Sequence, residues 1–196
     1  MNPYAPRTAF FFAAIILFLT SSALTADAQR RDFMTEAEIE VVRDAQDIDD
    51  RVEVITRMID RRFLVLNVNV NGWKDAAKQS DVWGELPKGS RAELFNDIKR
   101  LLQKAVDDID NLAANPGAAP IRDKGDKRAK KDPERFPNSV RNLAAAAGRY
   151  LGPLKSAMDK SESDIEKGSI IDSIELCDQI IEAVGKLPAE VKKTKN

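Results

Sequence analysis

An all-α fold, a helical bundle of about four amphipathic helices with two long connections, is what this 196-residue chain predicts. Apolar residues recur at alternating steps of three and four in four separate stretches, the spacing that places them on one side of an α-helix. Two of those stretches open with a Ser/Thr-x-x-Glu capping box, Thr35–Glu38 and Ser90–Glu93. Charged residues make up 32% of the chain and aromatic residues only 6%, the mixture expected of solvated helix surfaces around a shared aliphatic core. Four one-sided helices bury their stripes by facing one another, and this is the bundle solution.

Residues 1–28 precede that domain and read as a secretory signal peptide. One positive charge, Arg7, is followed by an apolar run from Ala9 to Leu19 and by Ala26-Asp27-Ala28, a small-x-small cleavage pattern. The run is shorter than the roughly 20 apolar residues a spanning helix needs, so cleavage after Ala28 is expected, and a retained N-terminal membrane anchor is the alternative. Export follows, to a periplasmic or extracellular destination. Residues 29–34 form a short lead, 35–188 one helical domain, and 189–196 a basic tail.

The first helix is expected to start at Thr35 and run unbroken along Val41, Ala45, Ile48, Val52, Ile55, Ile59, Phe63 and Leu66. Asp44, Asp47, Asp49, Asp50, Arg51, Arg57 and Arg61 fall mostly off that stripe and are expected to be solvated, with Asp47 and Arg51 spaced for an i,i+4 pair. Asn67 to Gly72 reads as a frayed end closed by Gly72. A Gly/Pro-punctuated connection carrying both tryptophans follows over 73–89. The second helix starts at Ser90 and buries Leu94, Ile98, Leu101, Ala105, Ile109 and Leu112 until Asn115-Pro116-Gly117 stops it.

Residues 116–137 form a long polar connection, unusual inside a compact domain and expected to be flexible and basic. The third helix is expected after Pro137, with Gly152-Pro153 kinking or dividing it. The fourth lies within 162–186, with Ile170, Ile174, Cys177, Ile181 and Val184 as its stripe and Leu187-Pro188 as its end.

The chain contains no histidine. Ser-His-Asp and Cys-His nucleophiles, His-ligated zinc or haem and Glu-x-x-His di-iron sites are therefore excluded. Cys177 is the single cysteine, so no intramolecular disulfide forms. Its place among aliphatic residues predicts burial and an inert thiol. The acidic groups Asp47, Asp49, Asp50 and Asp107, Asp108, Asp110 do not match an EF-hand loop and read as helix surface. No phosphate-cradling glycine loop is present, so no metal and no cofactor is assigned. Buried Arg62 or Tyr150 would be of interest, but sequence does not place them.

Two candidate contact regions remain. Trp73 and Trp83 on the first connection are candidate partner contacts, although tryptophans on a loop also serve to fold it down over a bundle end. Lys127, Arg128, Lys130 and Lys131 lie in a segment, Ile121–Arg135, of net charge +3, and are candidate anion contacts. Net charge over the whole chain is −1, which argues against a nucleic-acid binder.

The expected function is that of an exported, non-enzymatic helical bundle acting by protein binding or scaffolding in the cell envelope, with another envelope or secreted protein as partner. Electrostatic attachment to an anionic lipid or polysaccharide through residues 122–135 is the alternative. An enzyme working with carboxylates alone is the least favoured class.

Overall fold

The computed structural model describes residues 31–77, 81–116 and 134–187, and these form five α-helices. They are α1 (Glu36–Asp44), α2 (Ile48–Val65), α3 (Arg91–Ala114), α4 (Arg135–Lys160) and α5 (Asp164–Ala183), followed by a 3-10 turn at Val184–Lys186. Both predicted capping boxes form. Thr35 and Ser90 accept from the third helical amide, while Glu38 and Glu93 reach back to the cap amide.

The four long helices make a ring in the order α2, α3, α5, α4, with α3 and α4 touching only slightly across the diagonal. Cross-helix pairs give the directions. Arg51 meets Asp108 and Arg62 lies 3.8 Å from Asp97, so α2 and α3 are antiparallel. Arg135 meets Asp47 and Tyr150 meets Asp60, so α2 and α4 are parallel. Arg91 with Glu166 and Lys99 with Asp172 make α3 and α5 parallel. The core is continuous through the ring, from Ile55, Met58, Ile59 and Phe63 of α2 to Phe95, Ile98, Leu101 and Leu102 of α3, Leu143, Tyr150 and Leu154 of α4, and Ile170 and Cys177 of α5.

Several expectations are corrected. The first helix is not continuous: it breaks at Ala45–Asp47. Asp47 takes an extended N-cap conformation, its carboxylate 2.9 Å from Arg135, and the Ala45 carbonyl accepts from Arg51 Nε at 2.9 Å. Arg51 is thereby committed to Ala45 and Asp108. The four-three rhythm runs straight across the break, which hides it from periodicity. By folding back, α1 brings Glu38 to Arg61 and Arg62. Arg61, expected on the solvated face, is only 1% exposed, and Asp47 is buried too.

The end of α2 is closed by Asn67 rather than Gly72. Asn67 adopts φ +57°, its amide bonds to the Leu64 carbonyl and the Val68 amide to the Phe63 carbonyl, the paired pattern of a Schellman closure with asparagine in the left-handed position. Helix α4 begins at Arg135, so residues 135–137 belong to it and not to the connection. Pro137 falls in the first turn, where a missing N–H has no helical partner to lose. The helix also runs undivided through Pro153, because Tyr150, Leu154 and Ala157 hold that stretch in the core. The buried side of α5 is rotated from the expected stripe. Ser169, Ser173, Leu176 and Ile180 join Ile170 and Cys177 inside, while Ile181 is exposed. Ser173 enters the core by donating its hydroxyl to the Ser169 carbonyl at 2.8 Å.

Candidate functional site

Three consecutive ionisable residues near the end of α2, Asp60, Arg61 and Arg62, are all buried. Successive residues turn by about 100° along a helix, so each meets a different set of neighbours, although the two arginines share Glu38. Arg62 faces α1 and α3. It donates through Nη1 and Nη2 to the two carboxylate oxygens of Glu38 at 2.5 and 2.7 Å, and through Nη2 to the Phe33 carbonyl at 2.7 Å. Arg61 faces the connection that follows. Its Nη1 donates to the Trp83 carbonyl at 2.7 Å and its Nη2 to the carbonyls of Gly84 at 3.2 Å and Glu85 at 2.5 Å, with Glu38 Oε1 3.3 Å from Nη1. Gly84 has φ +58°, a conformation that costs other residues about 1–2 kcal/mol and that turns these carbonyls towards one guanidinium. Burial pulls the Arg61 pKa below the usual guanidinium range; Glu38 opposes that shift and Arg62 adds to it.

Asp60 faces α4 and the start of the connection. Oδ2 accepts the Trp73 amide at 2.7 Å and Oδ1 the Tyr150 hydroxyl at 3.0 Å, while Arg149 Nη1 stands 3.8 Å away. Gly72 passes so close to this carboxylate that a Cβ at Gly72 would overlap it. Burial raises the Asp60 pKa above the ordinary carboxyl value, against the Trp73 amide, the Arg149 charge and the Tyr150 hydroxyl. The Tyr150 hydroxyl is pushed well above its usual pKa by burial first and by Asp60 second, so it stays a hydrogen-bond donor throughout the working range of pH.

These bonds fix Trp73 and the stretch from Trp83 to Glu85 over one end of the bundle, and a cavity of about 300 Å³ lies beside Asp60. Asn67, Asn69 and Gly72 edge it on the polar side, and Leu64, Val68, Val70, Trp73 and Ala76 on the apolar side. The rings of Trp73 and Trp83 pack at 5.1 Å between centroids. Arg57 lies over Trp73 and Arg61 over Trp83. Trp83 is buried in the core and Trp73 half-buried against it, so the connection's exposed apolar surface centres on Val82, 62% exposed.

No family model, no curated protein and no solved structure matches the chain.

The structure thus brings the two tryptophans together and inserts one of them into the core. Lys127, Arg128, Lys130 and Lys131 lie outside the described residues, as do the signal segment 1–28 and the tail 189–196. At the far end of the bundle the carboxylates of Asp47, Asp49 and Asp50 approach one another. Arg135 sits against this group, 2.9 Å from Asp47 and 3.5 Å from Asp49, and supplies it with positive charge from α4.

Cys177 is fully buried, and its thiol is pushed up to about 12, first by burial and then by Asp178. The folded chain is therefore expected to resist a thiol reagent such as DTNB at pH 8 for as long as it stays folded. Stoichiometric reaction is expected only in denaturant. Rapid labelling of the native protein would place the thiol at the surface. The residues that sequence reasoning missed are Glu38, Asp47, Asp60, Arg61, Asp97 and Glu166, all ionisable and all buried. For Glu38 a signal existed: it is the capping-box acid, and such a residue has its carboxylate drawn towards the backbone rather than out into water.

Proposed function

We propose that this protein is an exported, non-enzymatic bundle that binds another envelope or secreted protein through the tryptophan-bearing connection over residues 66–90. The observation that carries the reading is the way the connection is held. Arg61 gathers three of its carbonyls and Asp60 takes the Trp73 amide, so the described residues on either side of 78–80 offer a preformed surface. A preordered contact surface gives up less conformational entropy on binding than a loose loop. Val82 is the connection's most exposed large apolar side chain among the described residues, Leu64 is exposed beside Trp73, and exposed charges such as Lys88 and Glu85 supply polar surface nearby in sequence. No described helix is long and apolar enough to cross a membrane.

The test is recovery of partners from the source's envelope fraction on the immobilised chain, washed at low and high salt. A protein retained in high salt and lost with Val82→Glu is the expected result. Val82 is mostly exposed, so that substitution leaves the fold intact and its effect is confined to the surface. Recovery of salt-labile lipid or polysaccharide alone, unaffected by Val82→Glu, would overturn the proposal.

A further inference from the structure

The cavity beside Asp60 has a chemistry more specific than an apolar contact surface. Its polar side holds Asn67, Asn69 and Gly72, and its one ionisable lining group is the Asp60 carboxylate. A carboxylate offers about four lone-pair sites. Two of them are taken, by the Trp73 amide and the Tyr150 hydroxyl, and both donors are fixed in the fold. The nearest cation does not close a third bond. Arg149 Nη1 stops 3.8 Å from Asp60 and 3.5 Å from the Val70 carbonyl, with a third of its side chain in solvent. The other wall, Leu64, Val68, Val70 and Ala76 with the edge of Trp73, is apolar. At about 300 Å³ the space is at the small end of ligand sites. It suits a short chain with one polar end, not a fused-ring cofactor. An anion entering here would meet Asp60 head-on. A neutral alcohol would fit the wall but bring no charge to the carboxylate.

We propose that this cavity binds a cationic head on an apolar stem, an alkylammonium or alkylguanidinium group, with the head at Asp60 and the stem along Leu64, Val68 and Val70. In the context of the function proposed above, the source of that group is a lysine or arginine side chain of the partner protein. The cavity's preference itself does not depend on that reading. The raised pKa of Asp60 agrees with it: burial outweighs the Arg149 charge 3.8 Å away, and a buried acid so placed gains from a second cation brought closer.

Amide NMR of the full chain, titrated with n-butylammonium and with N-acetyl-arginine methylamide, tests the site, with n-butanol as the neutral isostere at matched ionic strength. Saturable shifts at the Trp73 amide and at the amides of residues 67–72 are expected, with affinity on the order of millimolar for so small a ligand. n-Butanol is expected to bind at least tenfold more weakly. Asp60→Asn removes the charge while keeping the side chain's shape, and Leu64→Lys places a cation at the mouth from a position already 38% exposed. Both are expected to weaken n-butylammonium at least tenfold, and Leu64→Lys to do so with an unchanged melting temperature. Equal binding of n-butanol and n-butylammonium, shifts scattered over the surface, or binding that survives Leu64→Lys would each overturn the proposal.

A protein captured by the immobilised chain then identifies the source of the cation. Displacement of that protein by N-acetyl-arginine methylamide, and its loss with Leu64→Lys, support a partner side chain. Saturable binding of the probes beside a captured protein indifferent to both supports the cavity as a site for a free amine. A captured protein lost with Val82→Glu, in a chain that binds neither probe, would uphold the contact surface and overturn the cavity.

Discussion

Replacing Glu38 with alanine is expected to destabilise the fold by about 3–5 kcal/mol, the range for removing one partner from a buried ion pair. Glu38 and both arginines it contacts are almost wholly buried. The two oxygens of Glu38 accept from Arg62 at 2.5 and 2.7 Å and from Arg61 at 3.3 Å. Without them, two guanidinium groups would share a dry site with Asp97, 3.8 Å from Arg62 Nε, as the remaining acid beside them. The capping box of α1 would be lost in the same step, because Glu38 Oε2 also accepts the Thr35 amide at 3.0 Å, a contribution of about 1 kcal/mol for a cap. Urea unfolding followed by circular dichroism reads the change as a lower midpoint at an unchanged slope. Glu38→Gln, which retains an acceptor but not the charge, is expected to fall between wild type and Glu38→Ala. A loss below about 1 kcal/mol for the alanine variant would mean that the arginines find water instead of Glu38.

Gly72→Ala is expected to cost about 1–3 kcal/mol or more, although it adds a single methyl group. Gly72 does not have the positive φ of Asn67, Asn71 or Gly84, so backbone conformation is not the reason for the glycine. The reason is space: a Cβ would overlap the carboxylate of Asp60. That carboxylate cannot retreat without releasing the Trp73 amide or the Tyr150 hydroxyl. The origin of the cost is separable in a double-mutant cycle. Asp60→Ser shortens the side chain, and in that background Gly72→Ala is expected to cost at least 1 kcal/mol less, a coupling of the size found between contacting residues. Additive effects in the cycle would show that the methyl group clashes elsewhere.

The helical skeleton was legible because its signals are local. A capping box is complete within four residues, and the Leu94-to-Ile109 stripe of α3 stands on one helix face whatever packs against it. Cys177 was readable for the same reason, as a small apolar residue in step with its neighbours, and it is fully buried. What sequence did not convey depends on partners far along the chain. Arg61 reads as surface charge and Arg62 cannot be placed until Glu38 and, for Arg61, the carbonyls of Trp83, Gly84 and Glu85 are brought to them from more than 20 positions away. Gly72 looked like a helix stop, whereas its need for no side chain comes from Asp60, on the preceding helix. The rotation of α5 escaped because that helix is apolar on more than one side, so its isoleucines fit two phases and only the α3 and α4 surfaces choose between them. Of the candidate site, the tryptophans were visible but the acid beneath them was not.

The ring order has a consequence for how the molecule would sit if it were held at one place. Helix α2 rises towards the tryptophan connection, α3 descends, α4 rises and α5 descends, so Leu187 lies at the end opposite Trp73, while Phe33 lies near the tryptophan end through its contact with Arg62. A helix of some 20 residues is about 30 Å long. A molecule tethered beyond Leu187 would therefore display the Asp60 cavity and Val82 roughly that far from its support and facing away from it. One tethered ahead of Phe33 would press the same surface towards the support. The polarity of attachment alone would decide whether the connection over 66–90 is offered to the surroundings or hidden from them.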